Sequence, residues 1–246
     1  MDFIYFIFHF FLKMKNNQKL KRNNKKQETI RNNKKQETMK IFIPLGSICS
    51  VSYNLQLLKL RKYALPFDWL KIDKLDYISD IIENKFQDFL NVEEISQSTK
   101  FPIFLDEYKT EYKIIENKEI SKIMINKYNM KFYHDFSQNY NIEEIKEKYN
   151  RRIERFYDLL NINQQNTIYF IRDEIKYNID YKQIQRFQEI LHKINNNLNY
   201  KIIVIIHNPK NKIINLSDTN NLQIINDTDK FTNWKRLNID WISLFS

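Results

Sequence analysis

Ile41–Tyr53, which reads IFIPLGSICSVSY, joins a short apolar run to a segment with helical periodicity. The apolar run is typical of a buried strand, and Val51, Leu55 and Leu58 are spaced as on one face of a helix. The only glycine of the chain, Gly46, and the only cysteine, Cys49, lie at the joint between them. The stretch therefore predicts a strand, a tight turn and a helix, with reactive chemistry at the turn.

The turn combines several features of a nucleophile site. Gly46 permits backbone conformations that a β-carbon penalises, and it leaves room for a ligand beside the main chain. We expect Ser47 to cap the helix and Cys49 to lie in its first turn, where free N–H groups and the positive dipole end favour a thiolate. The thiol pKa of Cys49 should then fall below the ~8.5 of a free cysteine. The alternative is that Cys49 is a small buried apolar residue.

The positive charge of the chain is concentrated at its N-terminus. Residues 1–40 hold eleven Lys and Arg against three Asp and Glu, which accounts for +8 of the total net charge of +10. The chain is also rich in Ile, Asn and Lys, a bias typical of an AT-rich genome. The basic balance therefore gives no reason to expect a specific nucleic-acid partner.

Residues 1–40 are predicted to form a disordered basic extension. Phe3–Leu12 is apolar but too short to cross a bilayer, and the charges around it are wrong for a secretory signal. The polar nonapeptide Arg22–Ile30 is then repeated almost unchanged as Arg31–Met39. We expect no transmembrane segment and, with a single cysteine, a reducing cytoplasmic location. An alternative is a basic arm that touches an anionic membrane or RNA.

Residues 41–246 are predicted to form a single α/β domain, because two continuous apolar strands flank a helix. The strands are Thr167–Ile171 and Ile202–Ile206, and Tyr181–Ile194 has helical spacing between them. This order indicates a right-handed βαβ unit in a partly parallel sheet flanked by helices. Short alternating runs between Lys100 and Phe136 indicate a β-rich insertion after the second helix, which is predicted over residues 73–90.

Polar residues follow the predicted parallel strands at their carboxyl ends, where open sheets bind ligands. They include Arg172 after one strand and His207 after the next, beside Gly46 and Ser47 after the first. His207 is a candidate base for the thiol. In an alternative function, Gly46, Ser47 and Arg172 hold a phosphate or sugar-nucleotide in a non-hydrolytic binding or transferase domain.

A second set of candidate residues lies between these strands. His134 follows a predicted strand and is able to take a proton from a thiol, and the adjacent Asp135 supports it if the strand has already ended in a turn. Asp68, between Phe67 and Trp69, either caps a following helix or orients the base. No two histidines have metal-ligand spacing, so we expect no metal and no cofactor.

Several short motifs, taken together over about residues 41–245, resemble the family of unknown function labelled "putative papain-like cysteine peptidase". They are Leu45-Gly46-Ser47-x-Cys49-x-Val51-x-Tyr53, Pro66-x-Asp68-Trp69, Tyr133-His134-Asp135-Phe136, Arg151-Arg152-x-x-Arg155-Phe156, and the pair Trp234 and Trp241, which we expect to pack a final helix.

The resemblance implies catalytic roles for a few of the residues in these motifs. Cys49 would be the nucleophile, His134 the general base, and Asp135 or Asp68 the carboxylate that orients it. The Cys49 N–H group would stabilise the oxyanion. The resemblance also implies a papain-like α+β fold, as an alternative to the partly parallel α/β fold, and a peptide or amide substrate. The predicted function is therefore a thiol-dependent hydrolase.

Overall fold

The computed structural model describes residues 39–98, 100–104, 110–114, 121–137, 139–161, 166–175, 179–210, 212–229 and 233–245. They belong to one compact unit, Met39–Ser246. Residues 1–38 of the predicted extension lie outside the described residues, so their disorder stays a prediction.

Ten strands and five helices form the described part of the chain. The strands are β1 (Lys40–Pro44), β2 (Leu70–Ile72), β3 (Val92–Ser98), β4 (Lys100–Phe104), β5 (Thr110–Ile114), β6 (Ser121–Asn126), β7 (Met130–Phe132), β8 (Thr167–Glu174), β9 (Tyr200–His207) and β10 (Leu222–Asp227). The helices are α1 (Ser50–Leu57), α2 (Leu75–Glu83), α3 (Ile142–Leu160), α4 (Tyr181–Ile194) and α5 (Trp241–Phe245). Among the residues described, none of the helices is both long and apolar enough to pass through a bilayer.

A four-stranded parallel sheet in the order β1-β8-β9-β10 forms the centre of the fold. Ile43 pairs with Phe170, and Ile171 pairs with Ile203, in parallel register. The predicted βαβ unit is thereby confirmed as β8, α4 and β9. The continuous apolar runs predicted it correctly because strands of a parallel sheet are buried on both faces.

Helices cover both faces of this sheet. Phe170 of β8 packs against Phe187 of α4 in the larger core. On the opposite face, Ile171 joins Val51 of α1 and Trp241 of α5 in a second apolar cluster. Each of these side chains contributes roughly 1.5–3 kcal/mol by leaving water. Helix α1, which follows Cys49, is therefore anchored on the parallel sheet.

A second sheet is antiparallel, in the order β2-β7-β6-β3, and its strands come from the part of the chain between α1 and α3. Strands β4 and β5 form a separate hairpin. Strands β4 to β7 lie within the predicted β-rich insertion between Lys100 and Phe136. The fold class is therefore confirmed as α/β with a partly parallel sheet flanked by helices. The antiparallel sheet also agrees with the papain-like α+β alternative. Strands β3 and β6 were not predicted.

The turn before α1 differs from the prediction. Gly46 and Ser47 both have left-handed backbone conformations, with φ of 64° and 73°, so the helix starts later, at Ser50. Cys49 is the N-cap residue, and Ser47 does not cap the helix. Asp68 caps no helix either, because the segment after it is strand β2.

Two predicted helices are shorter in the structure. Helix α2 ends at Glu83 because Lys85, Phe86 and Asp88 have positive φ. The predicted final helix is confined to Trp241–Phe245, and Trp234 lies before it, because Arg236 has a φ of 55°. Non-glycine residues with positive φ interrupt a right-handed helix, and spacing alone does not reveal them.

Substituting Gly46 with alanine should destabilise the fold by about 1–3 kcal/mol. The new Cβ would lie 2.9 Å from Ile72 Cδ1 of β2, at a φ that L-residues rarely adopt. Urea unfolding of Gly46→Ala measures the loss. Ser47→Gly is the matched control, because it relieves positive φ in the same turn and should cost nothing comparable. An unchanged urea midpoint for Gly46→Ala would contradict the steric argument.

Candidate active site

Cys49 is held at the start of α1 by the loop that leaves β1. Its φ and ψ are −78° and −3°, and its carbonyl accepts the first helical hydrogen bond, from Tyr53 N at 3.0 Å. The N–H groups of the first turn have no partner within the helix itself. Cys49 itself is half-buried.

His134 lies against this thiol, although the two residues are 85 positions apart in the chain. Its Nε2 is 3.9 Å from Cys49 Sγ, and its ring meets the edge of Trp69 at a centroid distance of 6.3 Å. His134 follows β7 of the antiparallel sheet, whereas Cys49 follows β1 of the parallel sheet. The pair therefore forms where elements of the two sheets meet.

Arg172, on β8, connects the parallel sheet to strand β2 of the antiparallel sheet. Its Nη1 donates to Leu45 O at 3.0 Å and its Nη2 to Ile72 O at 3.2 Å. Its Nε donates to Glu174 Oε2 at 2.5 Å, and both side chains are fully buried. The guanidinium thus faces protein groups and not an open anion site.

Asp135 is held by helix α3 beside the imidazole. Its Oδ1 accepts from Lys148 Nζ at 2.5 Å, and its Oδ2 accepts from the Tyr149 hydroxyl at 2.7 Å. Strand β7 ends at Phe132, so the chain has turned before Asp135, as its predicted role requires. Its carboxylate acts on His134 by charge, which raises the pKa of the imidazole.

The electrostatic environment keeps the Cys49–His134 pair uncharged near neutral pH. Burial, followed by the charges of Asp68 and Asp135, raises the pKa of the Cys49 thiol to about 12. His134 is an exposed residue, but partial desolvation of its ring lowers the imidazole pKa, which the charge of Asp135 only partly opposes. The expected low thiol pKa is therefore wrong, because α1 has eight residues and its dipole is outweighed by burial and two carboxylates.

Asp68 braces helix α1 from the turn that precedes β2. Its Oδ2 accepts from Arg61 Nη2 at 2.5 Å, Arg61 Nε at 3.0 Å and Leu65 N at 3.0 Å. Its Oδ1 accepts from the Ser52 hydroxyl of α1 at 3.3 Å. This carboxylate is 1% exposed, and its charge is paired with Arg61.

The residues of the alternative anion site do not open onto solvent together. Gly46 and Ser47 are buried in the turn after β1, and Arg172 is fully buried. Within the described ranges, no group of three or more His, Cys, Asp or Glu side chains is arranged to hold a metal ion.

His207 belongs to a different cluster of polar side chains. It is 2% exposed at the end of β9, with Nδ1 3.2 Å from Arg236 Nη1 and 3.4 Å from Asp227 Oδ2. Of the two candidate bases, His134 contacts the thiol, whereas His207 contacts Arg236 and Asp227. Sequence reasoning missed Asp227 and Arg236. Asp227 would have been found by applying the carboxyl-end argument to β10, but no pattern marks Arg236.

Comparison with known proteins assigns the chain to a family. Residues 40–210 match the family model described as "Putative papain-like cysteine peptidase (DUF1796)", a range that includes both Cys49 and His134. An uncharacterized protein of Acanthamoeba polyphaga mimivirus is 36% identical over 217 residues, covering 82% of this chain and 95% of the relative. No solved structure matches the chain significantly. The chain therefore belongs to the family described as putative papain-like cysteine peptidases.

Proposed function

We propose that this chain hydrolyses peptide or amide bonds, with Cys49 as the nucleophile and His134 as the general base. The observation that carries the proposal is the 3.9 Å distance between Cys49 Sγ and His134 Nε2. Separations of this kind in a free enzyme often shorten when substrate binds. Membership of a cysteine peptidase family supports the same reaction class.

The neutral resting pair implies that proton transfer accompanies attack. Cys49 Sγ forms a bond to the substrate carbonyl carbon while its proton passes to His134 Nε2. The imidazolium then gives that proton to the leaving nitrogen as the C–N bond breaks, which leaves a thioester on Cys49. Water, deprotonated by His134, attacks the thioester, and the released thiolate recovers the proton.

Two neighbouring features stabilise the charges that form in these steps. Asp135 is anchored by Lys148 and Tyr149, and its negative charge favours the imidazolium form of His134. The N–H groups at the start of α1 are our candidates for stabilising the oxyanion of the tetrahedral intermediate, because they have no partner within the helix and lie at its positive dipole end. Asp68 contributes by bracing α1 through Ser52.

The pH dependence of Cys49 alkylation by iodoacetamide tests the pair. We expect a rate plateau near neutral pH, because unprotonated His134 accepts the thiol proton as the sulfur attacks. The rate should fall as the pH drops through an apparent pKa below 6.5, since a protonated imidazole no longer acts as a base. In His134→Ala the plateau should vanish, and the rate should rise continuously with pH toward the high thiol pKa.

His192→Ala is the matched control, because His192 is exposed on α4 and contacts Tyr200. It should keep the wild-type profile. Identical profiles for the wild type and His134→Ala would reject His134 as the base. Mass spectrometry of the alkylated protein checks that the modification is on Cys49, the single cysteine.

A further inference from the structure

A buried polar cluster lies on the sheet side of the nucleophile helix. It consists of Ser50, Asp173, His207, Asp227 and Arg236, all at most 8% exposed. Ser50 directly follows Cys49 and is the first residue of α1. Asp227 and Arg236 lie beyond residue 210, where the match to the family model ends. The C-terminal segment thus contacts the element that carries the nucleophile.

Hydrogen bonds connect Arg236 to Ser50 through one carboxylate oxygen. The Ser50 hydroxyl donates to Asp173 Oδ2 at 2.6 Å, and Arg236 Nε donates to the same oxygen at 3.2 Å. Arg236 Nη2 also donates to Asp227 Oδ2 at 2.5 Å. One guanidinium therefore pairs with two carboxylates, one on β8 and one on β10.

Asp173 depends on these two partners. It is fully buried, and its other oxygen, Oδ1, has no hydrogen-bond partner among the residues that the structure describes. A buried carboxylate remains charged only when a cation and donors compensate for its lost hydration. Without Arg236, the acceptor that holds Ser50 would lose its counter-charge.

The backbone at Arg236 is fixed in a conformation that an arginine rarely adopts. Its φ is 55°, and its carbonyl accepts from Trp241 Nε1 at 2.9 Å. The preceding carbonyl, that of Lys235, accepts from Asn54 Nδ2 of α1 at 2.9 Å. Strained residues persist where the surrounding structure requires them, frequently at functional sites. The C-terminal turn is thus tied to α1 at both Ser50 and Asn54.

We infer that Arg236 is a positioning residue for Cys49. It holds the Asp173 carboxylate that accepts the Ser50 hydroxyl, and this fixes the first turn of α1 so that Cys49 Sγ faces His134. The inference rests on the proposed function, because it assigns Arg236 to the same thiol–imidazole pair.

The test is the rate of Cys49 alkylation by iodoacetamide at neutral pH, measured well below the melting temperature. Arg236→Gln should lower the rate about tenfold, since small displacements of reacting groups have large kinetic effects. Arg236→Lys should recover part of the rate by restoring one charge without the second arm of the guanidinium. Ser50→Ala removes only a hydroxyl and should also lower the alkylation rate.

Arg186→Gln is the control, because Arg186 is half-exposed and pairs with Asp80 between α2 and α4. It should keep the wild-type rate whatever its melting temperature. Wild-type rates in both Arg236→Gln and Ser50→Ala, even with lowered melting temperatures, would overturn the inference and leave the proposed function intact. If Arg236→Gln does not fold, Ser50→Ala decides. Equal rates in the wild type and His134→Ala would overturn both proposals.

Discussion

Cys49→Ala should reduce hydrolysis of peptide and amide substrates to background, a loss of about a thousandfold or more. The chain has no second cysteine to replace the lost nucleophile. Cys49→Ser should lose nearly as much, because His134, whose pKa burial has lowered, is a poor base for a serine hydroxyl. A library of internally quenched peptides and small amides, screened first with the wild type, provides the substrate and the rates.

Loss of the base should be almost as severe as loss of the nucleophile. His134→Ala leaves a thiol whose pKa is about 12, so little thiolate exists at neutral pH and no partner takes the proton. His192→Ala, which removes an exposed histidine of α4, should retain wild-type rates. Residual hydrolysis at the wild-type rate in Cys49→Ala would assign the activity to other residues and reject the proposed mechanism.

The parallel sheet was predictable because its buried strands have short, continuous apolar sequences. Ile202–Ile206 has no polar residue, and all five side chains are buried in β9. A strand covered on both faces needs such a run, and parallel pairing follows from the helix between the strands. Strands β3 and β6 escaped prediction because their sequences, VEEISQS and SKIMIN, mix polar and apolar residues.

For the candidate site, the sequence predicted the candidate residues but not which histidine contacts the thiol. The single glycine and single cysteine at a strand–helix joint pointed to Cys49, and His134 was one of two histidines at strand ends. The choice between His134 and His207 depends on a contact across 85 residues, which no local pattern encodes. The thiol pKa was mispredicted because the burial of Cys49 and the positions of Asp68 and Asp135 are properties of the fold.

Arg172 shows why charged residues after apolar strands are ambiguous in sequence. An arginine at a carboxyl strand end is expected in an anion site, yet here it lies between β8, the loop before Cys49 and β2. Its side chain is 0% exposed, and Glu174 supplies its counter-charge. In this protein, an arginine in that position therefore connects two sheets and does not bind an anion. Unfolding experiments distinguish this structural role from an anion-binding role.

Replacing Arg172 with methionine should destabilise the protein by about 3–5 kcal/mol, because it leaves Glu174 as a buried charge without its cation. The carbonyl groups of Leu45 and Ile72 would also lose a donor. Urea unfolding measures the loss. The double variant Arg172→Met with Glu174→Leu should recover part of it, since no buried charge then remains from this pair.

Arg186→Met is the control for loss of a surface arginine, and it should cost about 1 kcal/mol or less because its ion pairs remain in contact with water. An anion clamp at Arg172 makes the opposite predictions. Inorganic phosphate would stabilise the wild type, Arg172→Met would abolish that effect, and the substitution itself would cost little. If Arg172 has a structural role, Arg172→Met should instead lose much stability, and phosphate should not stabilise the wild type. The reason is that the guanidinium donates to Leu45, Ile72 and Glu174 inside the protein.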